Sequence, residues 1–255
     1  MIIMIVGSTK EDLTLEKRVS LTPETAKNII GLGLQVNIEK DYASHLGIDD
    51  SEFTKVGVEI KPSPNEVLNS SKAIIKVNCP SESEISILKE NTILIGMCNP
   101  SKNKNQINKI LNKKIKIFSL ELLPRITRAQ SMDVLSSQSN LAGYRAVVDC
   151  IAEFEKAVPM MMTAAGTVPA AKVLVIGAGV AGLQAIATAK RLGAIVSATD
   201  VRVASKEQVE SLGGKFLAVE QKEDMETAGG YAKEASEDYK KKQAEMMKEA
   251  LKKND

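Results

Sequence analysis

The chain contains 255 residues, of which 44% are hydrophobic and 26% charged, and its formal net charge is +2. A chain of this length can bury a sizeable core and is expected to form two domains. The small net charge, and the lack of interleaved aromatic and basic residues, exclude a typical nucleic-acid-binding surface.

The few cysteines and the single histidine limit which metal, redox and catalytic sites the chain can form. Cys79, Cys98 and Cys150 are widely spaced and form no CxxC motif, which predicts neither a zinc ribbon nor a redox pair and is typical of a reducing compartment. The single histidine, His45, lies in a polar stretch. Without a second histidine, we predict no histidine-based metal site, no Ser-His-Asp triad and no bound metal.

Alternating strands and helices are predicted for the first part of the chain. Thr22 followed by Pro23 and Glu24 is a helix start, and Ser101–Lys113 is a polar helix with one apolar face. The alternation predicts an N-terminal domain, residues 1–135, with a doubly wound parallel sheet covered by helices on both faces. The strand candidates are Ile2–Val6, Gln35–Glu39, Ala73–Val77, Thr92–Gly96 and Lys116–Leu120.

A connecting segment, residues 136–168, is predicted between the two domains. Asn140–Val158 has a helical pattern, which the following proline ends. Thr163–Ala171 is rich in small residues and contains both glycine and proline. This stretch is therefore predicted to be a linker into the second domain, residues 169–255.

A G-x-G-x-x-G motif opens the second domain. The apolar run Val173–Ile176 precedes Gly177, Gly179 and Gly182, and a helical pattern follows through Arg191. The first glycine of such a motif permits a tight turn, the second lets the backbone approach a pyrophosphate, and the third lets helix and strand pack closely. The complete strand, turn and helix context predicts a dinucleotide-binding domain rather than a glycine-rich packing turn.

The next apolar run, Ala194–Thr199, ends at Asp200. A carboxylate here would accept hydrogen bonds from an adenosine ribose and would repel a 2′-phosphate, which favours NAD(H) over NADP(H). Arg202 lies close enough to leave that preference open. A helix at Ser205–Leu212, a strand at Lys215–Val219 and a final helix ending near Lys253 follow. Three strands amount to an incomplete Rossmann domain.

The motif RITRAQSMDVLSSQSNLAGYRAVV at Arg125–Val148, and the stretch from Pro159 through Arg202, carry a family resemblance. The chain resembles the NAD(H)-binding component, the alpha subunit, of proton-translocating NAD(P) transhydrogenase in the alanine dehydrogenase/transhydrogenase superfamily. The resemblance is loose over residues 1–120 and close from Glu121 to Leu217.

This resemblance implies hydride transfer between NAD(H) on this chain and NADP(H) on a partner component. It implies coupling to proton translocation through a membrane-spanning component, and a homodimer. The chain would be cytoplasmic and held at the inner face of the cell membrane through these partners.

The resemblance also implies which residues form the site. Arg125, Gln130 and Asp133 would hold the nicotinamide end, with Gln130 lying between the two nicotinamides. The full set implied to bind NAD(H) is Arg125, Ile126, Thr127, Arg128, Gln130, Asp133, Ser136, Tyr144, Gly177, Ala178, Gly179, Val180, Gly182, Asp200, Val201, Arg202, Gly230, Tyr231 and Gln243.

Two alternatives remain at this point. Alanine dehydrogenase has the same two-domain plan, and Arg18 and Lys76 resemble its substrate-binding positions, but its acid/base histidine has no counterpart in IGMCNPSKN. The family's component also extends beyond the position of Asp255. We therefore expect either a split subunit, completed by a second chain, or a truncated, non-catalytic NAD-binding remnant.

Overall fold

The chain folds into two units, Met1–Asp133 and Val134–Asp255, and each contains a parallel β-sheet. The computed structural model describes residues 4–202, 204–219 and 236–255. The predicted α/β fold class is confirmed. In the described part of the chain, no helix is both long enough and apolar enough to span a membrane.

The first unit is built on a six-stranded sheet in the order β3-β2-β1-β4-β5-β6. Its strands pair in parallel throughout. The strand order reverses between β1 and β4, and the carboxyl ends of strands at such a switch point form a crevice. The strands are β1 (Ile5–Ser8), β2 (Gln35–Glu39), β3 (Glu59–Lys61), β4 (Ala73–Asn78), β5 (Ile93–Met97) and β6 (Lys116–Ser119).

Capping residues set where the first unit's helices begin. Thr22 is the N-cap of the first helix, as predicted, and it forms a capping box with Thr25. Gly33, just beyond the end of that helix, has a positive φ of 83°. Asp49 with Glu52, and Ser81 with Glu84, form the same kind of box. The helices are α1 (Pro23–Gly31), α2 (Asp50–Lys55), α3 (Pro64–Ser70), α4 (Glu82–Ile87) and α5 (Lys104–Asn112).

Strand β3 was not predicted. It has only three residues, two of them charged, and it lies at the edge of the sheet. An edge strand needs no continuous apolar run, because much of it is exposed to solvent. The hydrophobic pattern of β3 is therefore too weak to predict a strand. Helix α5 is also shorter at both ends than predicted, beginning at Lys104 and ending at Asn112.

The second unit contains a three-stranded parallel sheet in the order β11-β10-β9. Buried Ile186, Val196 and Val209 belong to the core of this unit. The sheet agrees with the three predicted strands, although β11 is shorter than expected. The elements are α6 (Val134–Glu153), β7 (Met161–Thr163), β8 (Gly166–Val168), β9 (Lys172–Ile176), α7 (Val180–Arg191), β10 (Ile195–Thr199), α8 (Ser205–Ser211), β11 (Lys215–Phe216) and α9 (Glu237–Leu251).

Helix α6 packs closely against α7. A Cβ on buried Gly143 would overlap the backbone of Ala181, so this contact requires glycine. The helix runs from Val134 to Glu153, earlier than predicted at both ends. The predicted linker also differs: most of it belongs to the antiparallel hairpin formed by β7 and β8. A short run of small residues has too little pattern to distinguish a hairpin from a loop.

Asp255, which follows α9, is hydrogen-bonded to the first residue of β9. The Asp255 N–H donates to the carbonyl of Lys172, and its carboxylate accepts from the Lys172 N–H at 2.9 Å and from Lys156 Nζ at 2.7 Å. On α9, Tyr239 and Ala250 are buried and Met246 is partly buried. These three residues are spaced so that they lie on one face of the helix.

Candidate NAD(H) site

The glycine-rich turn connects β9 to α7. Gly177 has a φ of 92°, and its N–H donates to the carbonyl of Thr199 on β10 at 2.8 Å. Helix α7 begins at Val180, and its N-cap, Gly179, supplies no side-chain capping bond. The first N–H groups of α7 therefore have no side-chain acceptor from the N-cap position, and the positive end of the helix dipole lies at the turn.

The three motif glycines have different surroundings. A Cβ on Gly182 would overlap the carbonyl of Gly177, because helix and turn are packed tightly there. A Cβ on Gly179 would meet no atom within 4 Å. Gly182 is therefore required for packing, whereas Gly179 leaves open space beside the helix N-terminus that a ligand could occupy.

These surroundings predict that one alanine variant affects NADH binding and the other affects the stability of the fold. Gly179→Ala is expected to leave the melting temperature unchanged while weakening NADH binding about threefold to tenfold, because the methyl group enters only the open space. Gly182→Ala is expected to destabilise the fold by about 1–3 kcal/mol through overpacking. Thermal unfolding and NADH titration of both variants test the pair. Equal loss of stability in both would contradict this division of roles.

Asp200 lies at the carboxyl end of β10, next to the glycine-rich turn. Its side chain is only 7% exposed. One carboxylate oxygen, Oδ2, accepts from the Ala178 N–H at 2.7 Å, and Oδ1 accepts from the Arg202 N–H at 2.8 Å. Burial opposes the charge, but the hydrogen bonds from Arg202 and Ala178 outweigh it and lower the pKa of Asp200. The residue is therefore a carboxylate at neutral pH.

The guanidinium of Arg202 also binds Asp200. Its Nε donates to Oδ1 at 2.9 Å and its Nη2 donates to Oδ2 at 3.0 Å. With the two backbone donors, these bonds occupy about the four acceptor directions that a carboxylate offers. Any further hydrogen-bond donor would therefore have to replace the guanidinium contacts of Arg202 in order to bind Asp200.

Helix α9 brings Tyr239 towards this carboxylate. Burial, and then the negative charge of Asp200, raise the pKa of Tyr239. Gln243 lies one turn further along the same face and is partly buried. Nothing in the sequence indicated that the charge of Asp200 would reach Tyr239.

The residues predicted to hold the nicotinamide end lie on a 3-10 helix of the first unit, Thr127–Met132, and its flanks. The Asp133 N–H donates to the carbonyl of Gln130 at 3.2 Å, which closes the last turn. The side chains of Arg125, Arg128 and Gln130 are exposed, and that of Asp133 is partly buried. This turn therefore presents two cations and an amide at the surface of its unit.

Ser136 and Tyr144, two further residues that the resemblance implies for the NAD(H) site, lie on α6 in the second unit. Ser136 is partly buried, and Tyr144 is 51% exposed. Gly230 and Tyr231 lie outside the described residues.

A separate cavity of about 630 Å³ opens in the first unit. Among its lining residues is Lys76, whose Nζ lies 2.7 Å from a carboxylate oxygen of Glu84 and 3.9 Å from one of Glu11. Burial raises the pKa of Glu11 more than Lys76 lowers it. At Glu84, burial also acts to raise the pKa, but the contacts with Lys76, Ser81 and Thr9 together outweigh it and lower the pKa. Arg18 in turn pairs with Glu16 at 2.6 Å. Acids of the same unit thus already engage both cations that resemble a substrate-carboxylate site.

Two family models match the chain along nearly its whole length. The alanine dehydrogenase/PNT N-terminal domain matches residues 7–142, and the alanine dehydrogenase/PNT C-terminal domain matches residues 146–255. The chain belongs to the alanine dehydrogenase/PNT family. Within that family it belongs with the NAD(P) transhydrogenase alpha subunits, as the following relatives show, and the predicted resemblance is confirmed.

The relatives in this branch of the alanine dehydrogenase/PNT family align over almost the entire chain. The chain is 49% identical to the first part of NAD(P) transhydrogenase subunit alpha of Rhodospirillum rubrum, over 99% of this chain and 67% of the relative. It is 42% identical to NAD(P) transhydrogenase subunit alpha of Haemophilus influenzae, over 99% of this chain and 49% of the relative. The crystal structure of transhydrogenase from Sinorhizobium meliloti superposes with a TM-score of 0.81 at 50% identity, covering 84% of this chain and 64% of that one.

The chain therefore spans about two thirds of the Rhodospirillum rubrum relative and about half of the Haemophilus influenzae relative. Of the residues that the resemblance implies for NAD(H) binding, the structure brings together Gly177, Ala178, Asp200 and Arg202 in the second unit.

Proposed function

We propose that this chain is the NAD(H)-binding component of a proton-translocating transhydrogenase. The observation that carries the proposal is the glycine-rich turn, in which the buried carboxylate of Asp200 holds the Ala178 N–H beside an open helix N-terminus. The helix N-terminus would offer donors for a pyrophosphate, and Asp200 would accept from the ribose once the Arg202 guanidinium is displaced.

Each part of the turn would have a separate task. The N–H groups at the start of α7, around Gly179 and Val180, would donate to the pyrophosphate, because the helix dipole favours negative charge there. Asp200 would accept from the adenosine ribose, with Val201 and Arg202 alongside. The negative charge of Asp200 would disfavour the 2′-phosphate of NADP(H), which supports selectivity for NAD(H).

The nicotinamide end would be held by Arg125, Gln130 and Asp133, with Ile126, Thr127 and Arg128 in the same turn. Bound NAD(H) supplies the hydride, so the chain needs no side chain that gains or loses a proton. Its task is to hold the reacting ring in position and to exclude water. Guanidinium, amide and carboxylate groups suit this task because they bind a carboxamide and a ribose without reacting with either. Ser136 and Tyr144 would support the turn, and Gly230, Tyr231 and Gln243 would complete the nucleotide site.

The proposal includes partners. Hydride would pass between NADH on this chain and NADP+ on a second component, and a membrane-spanning component would couple the transfer to proton movement. The chain would act as a homodimer at the inner face of the cell membrane. Membership among the transhydrogenase alpha subunits supports these assignments.

Alanine dehydrogenase activity is less consistent with the first unit. The cavity there is lined by no histidine, and Glu84 already binds the ammonium of Lys76. His45 lies instead on an exposed turn, where its Nε2 is 2.7 Å from the carbonyl of Lys17. A substrate carboxylate would thus have to displace a buried ion pair, and it would find no acid/base histidine.

Calorimetric titration of the purified chain with NADH, and with NADPH as the control, tests the proposal. We expect binding of NADH in the micromolar range and at least tenfold weaker binding of NADPH, because Asp200 would repel the 2′-phosphate. Transhydrogenation assays with the partner components would then test hydride transfer. A folded chain that binds neither nucleotide, or both equally, would contradict the assigned site.

A further inference from the structure

Two cysteines that are far apart in the sequence meet where two neighbouring strands end. Cys79 directly follows β4, and Cys98 directly follows β5. The strands are parallel partners, and their last paired residues are Asn78 and Met97. Each cysteine is therefore one residue beyond the same pair, and adjacent parallel strands lie about 4.8 Å apart. Disulfides join Cα atoms roughly 4.4–6.8 Å apart, so the backbone spacing suits a cross-link.

The two thiols differ in their access to solvent. Cys98 is fully buried in an apolar cluster with Leu94 and Ile110, and Cys79 packs against that cluster. Cys79 is only partly buried and lines the cavity of the first unit beside Lys76. A small oxidant that enters the cavity would therefore meet Cys79 first, while Cys98 is shielded behind it.

The two thiols lie close enough to shift each other's pKa. The Cys98 thiol, assisted by the positive charge of Lys76 and opposed by burial, lowers the pKa of Cys79. The Cys79 sulfur, together with burial, raises the pKa of Cys98, which keeps its proton. Two nearby acids oppose ionisation: the charge of Glu121 acts on both thiols, and the charge of Glu84 acts on Cys79. The accessible sulfur is thus the one that ionises more readily, as a reactive cysteine requires.

We propose that Cys79 and Cys98 are a peroxide-reactive pair that forms a reversible disulfide. The Cys79 thiolate attacks a hydroperoxide, the O–O bond breaks, and Cys79 becomes a sulfenic acid while hydroxide or alkoxide leaves. Cys98 then attacks that sulfur, and its thiol proton leaves with the hydroxyl group as water. The sulfurs have together lost two electrons, the peroxide has gained them, and a thiol reductant reverses the step.

Tryptic mapping after peroxide treatment tests the pair. Trypsin cleaves after Lys76, Lys89 and Lys102, so Cys79 and Cys98 fall in peptides 77–89 and 90–102. The full chain would carry Cys150→Ser, because Cys150 is exposed and could join two chains. After treatment with hydrogen peroxide and alkylation of free thiols, we expect a linked peptide pair about 2 Da lighter than the two reduced peptides together. Dithiothreitol should separate it.

Two further variants separate chemistry from folding. With Cys98→Ala, Cys79 has no partner, and dimedone should label it as a sulfenic acid. With Cys79→Ser, a conservative change at a partly exposed position, Cys98 should stay unmodified because it is buried. Absence of the linked pair in the folded Cys150→Ser chain would overturn the proposal. So would oxidation of Cys98 in Cys79→Ser at the rate of Cys79 in Cys98→Ala.

Discussion

Replacing Asp200 with alanine is expected to weaken NADH binding by about 1–3 kcal/mol, which corresponds to about 5-fold to 150-fold in the dissociation constant. Two losses combine in this variant. The charge-assisted hydrogen bonds to the ribose disappear, and the Ala178 N–H loses its acceptor in the glycine-rich turn. Release of Arg202 should at the same time reduce discrimination against NADPH, because a guanidinium freed from Asp200 can pair with a phosphate.

Calorimetry with NADH and NADPH measures both effects. The matched control is Asp149→Ala, which removes an exposed carboxylate on α6 that pairs with Arg145. That change should leave binding of both nucleotides unaltered, since exposed ion pairs contribute little. Unchanged NADH affinity in Asp200→Ala would remove Asp200 from the ribose site.

Replacing Gln130 with asparagine is expected to slow hydride transfer by about 10-fold to 100-fold in a complex reconstituted with the partner components. The shorter side chain withdraws the amide by about one methylene, and displacements of about 1 Å can cost about 100-fold in rate. Binding of NADH should change much less, because most contacts with the nucleotide would come from the second unit.

Stopped-flow measurement of single-turnover transfer, with NADH titration of the same variant, separates rate from affinity. Gln35→Asn is the matched control, since Gln35 is an exposed glutamine at the start of β2 in the same unit. A Gln130→Asn complex that transfers hydride at the unaltered rate would exclude Gln130 from positioning the nicotinamide.

The geometry of the glycine-rich motif could be predicted from the local sequence. Gly177 was predicted to make a tight turn, and its φ of 92° confirms it. Gly182 was predicted to allow close packing, and an added Cβ there would overlap the turn. Both follow from spacing within one strand-turn-helix unit, because short-range geometry leaves few alternatives.

Contacts between distant segments could not be predicted in this way. The sequence indicated that Asp200 ends a strand, but not that Arg202 and Ala178 fill its acceptors. Cys79 and Cys98 were predicted not to form a redox pair because they form no CxxC motif. Parallel pairing of β4 with β5 places both cysteines at the ends of neighbouring strands, and the proposed disulfide would make them a redox pair without that motif.

The sequence by itself determined the α/β class, most strands, the glycine-rich turn and the family. The class, the strands and the turn depend on periodicity, capping residues and motif spacing, which act over a few residues. The family resemblance depends instead on the long runs at Arg125–Val148 and Pro159–Arg202. Only the tertiary structure decided that Glu84 engages Lys76, that the Arg202 guanidinium binds Asp200 and that Cys79 and Cys98 follow neighbouring strands. Such contacts depend on strand order and register, and these are set by packing of the whole sheet rather than by any single segment.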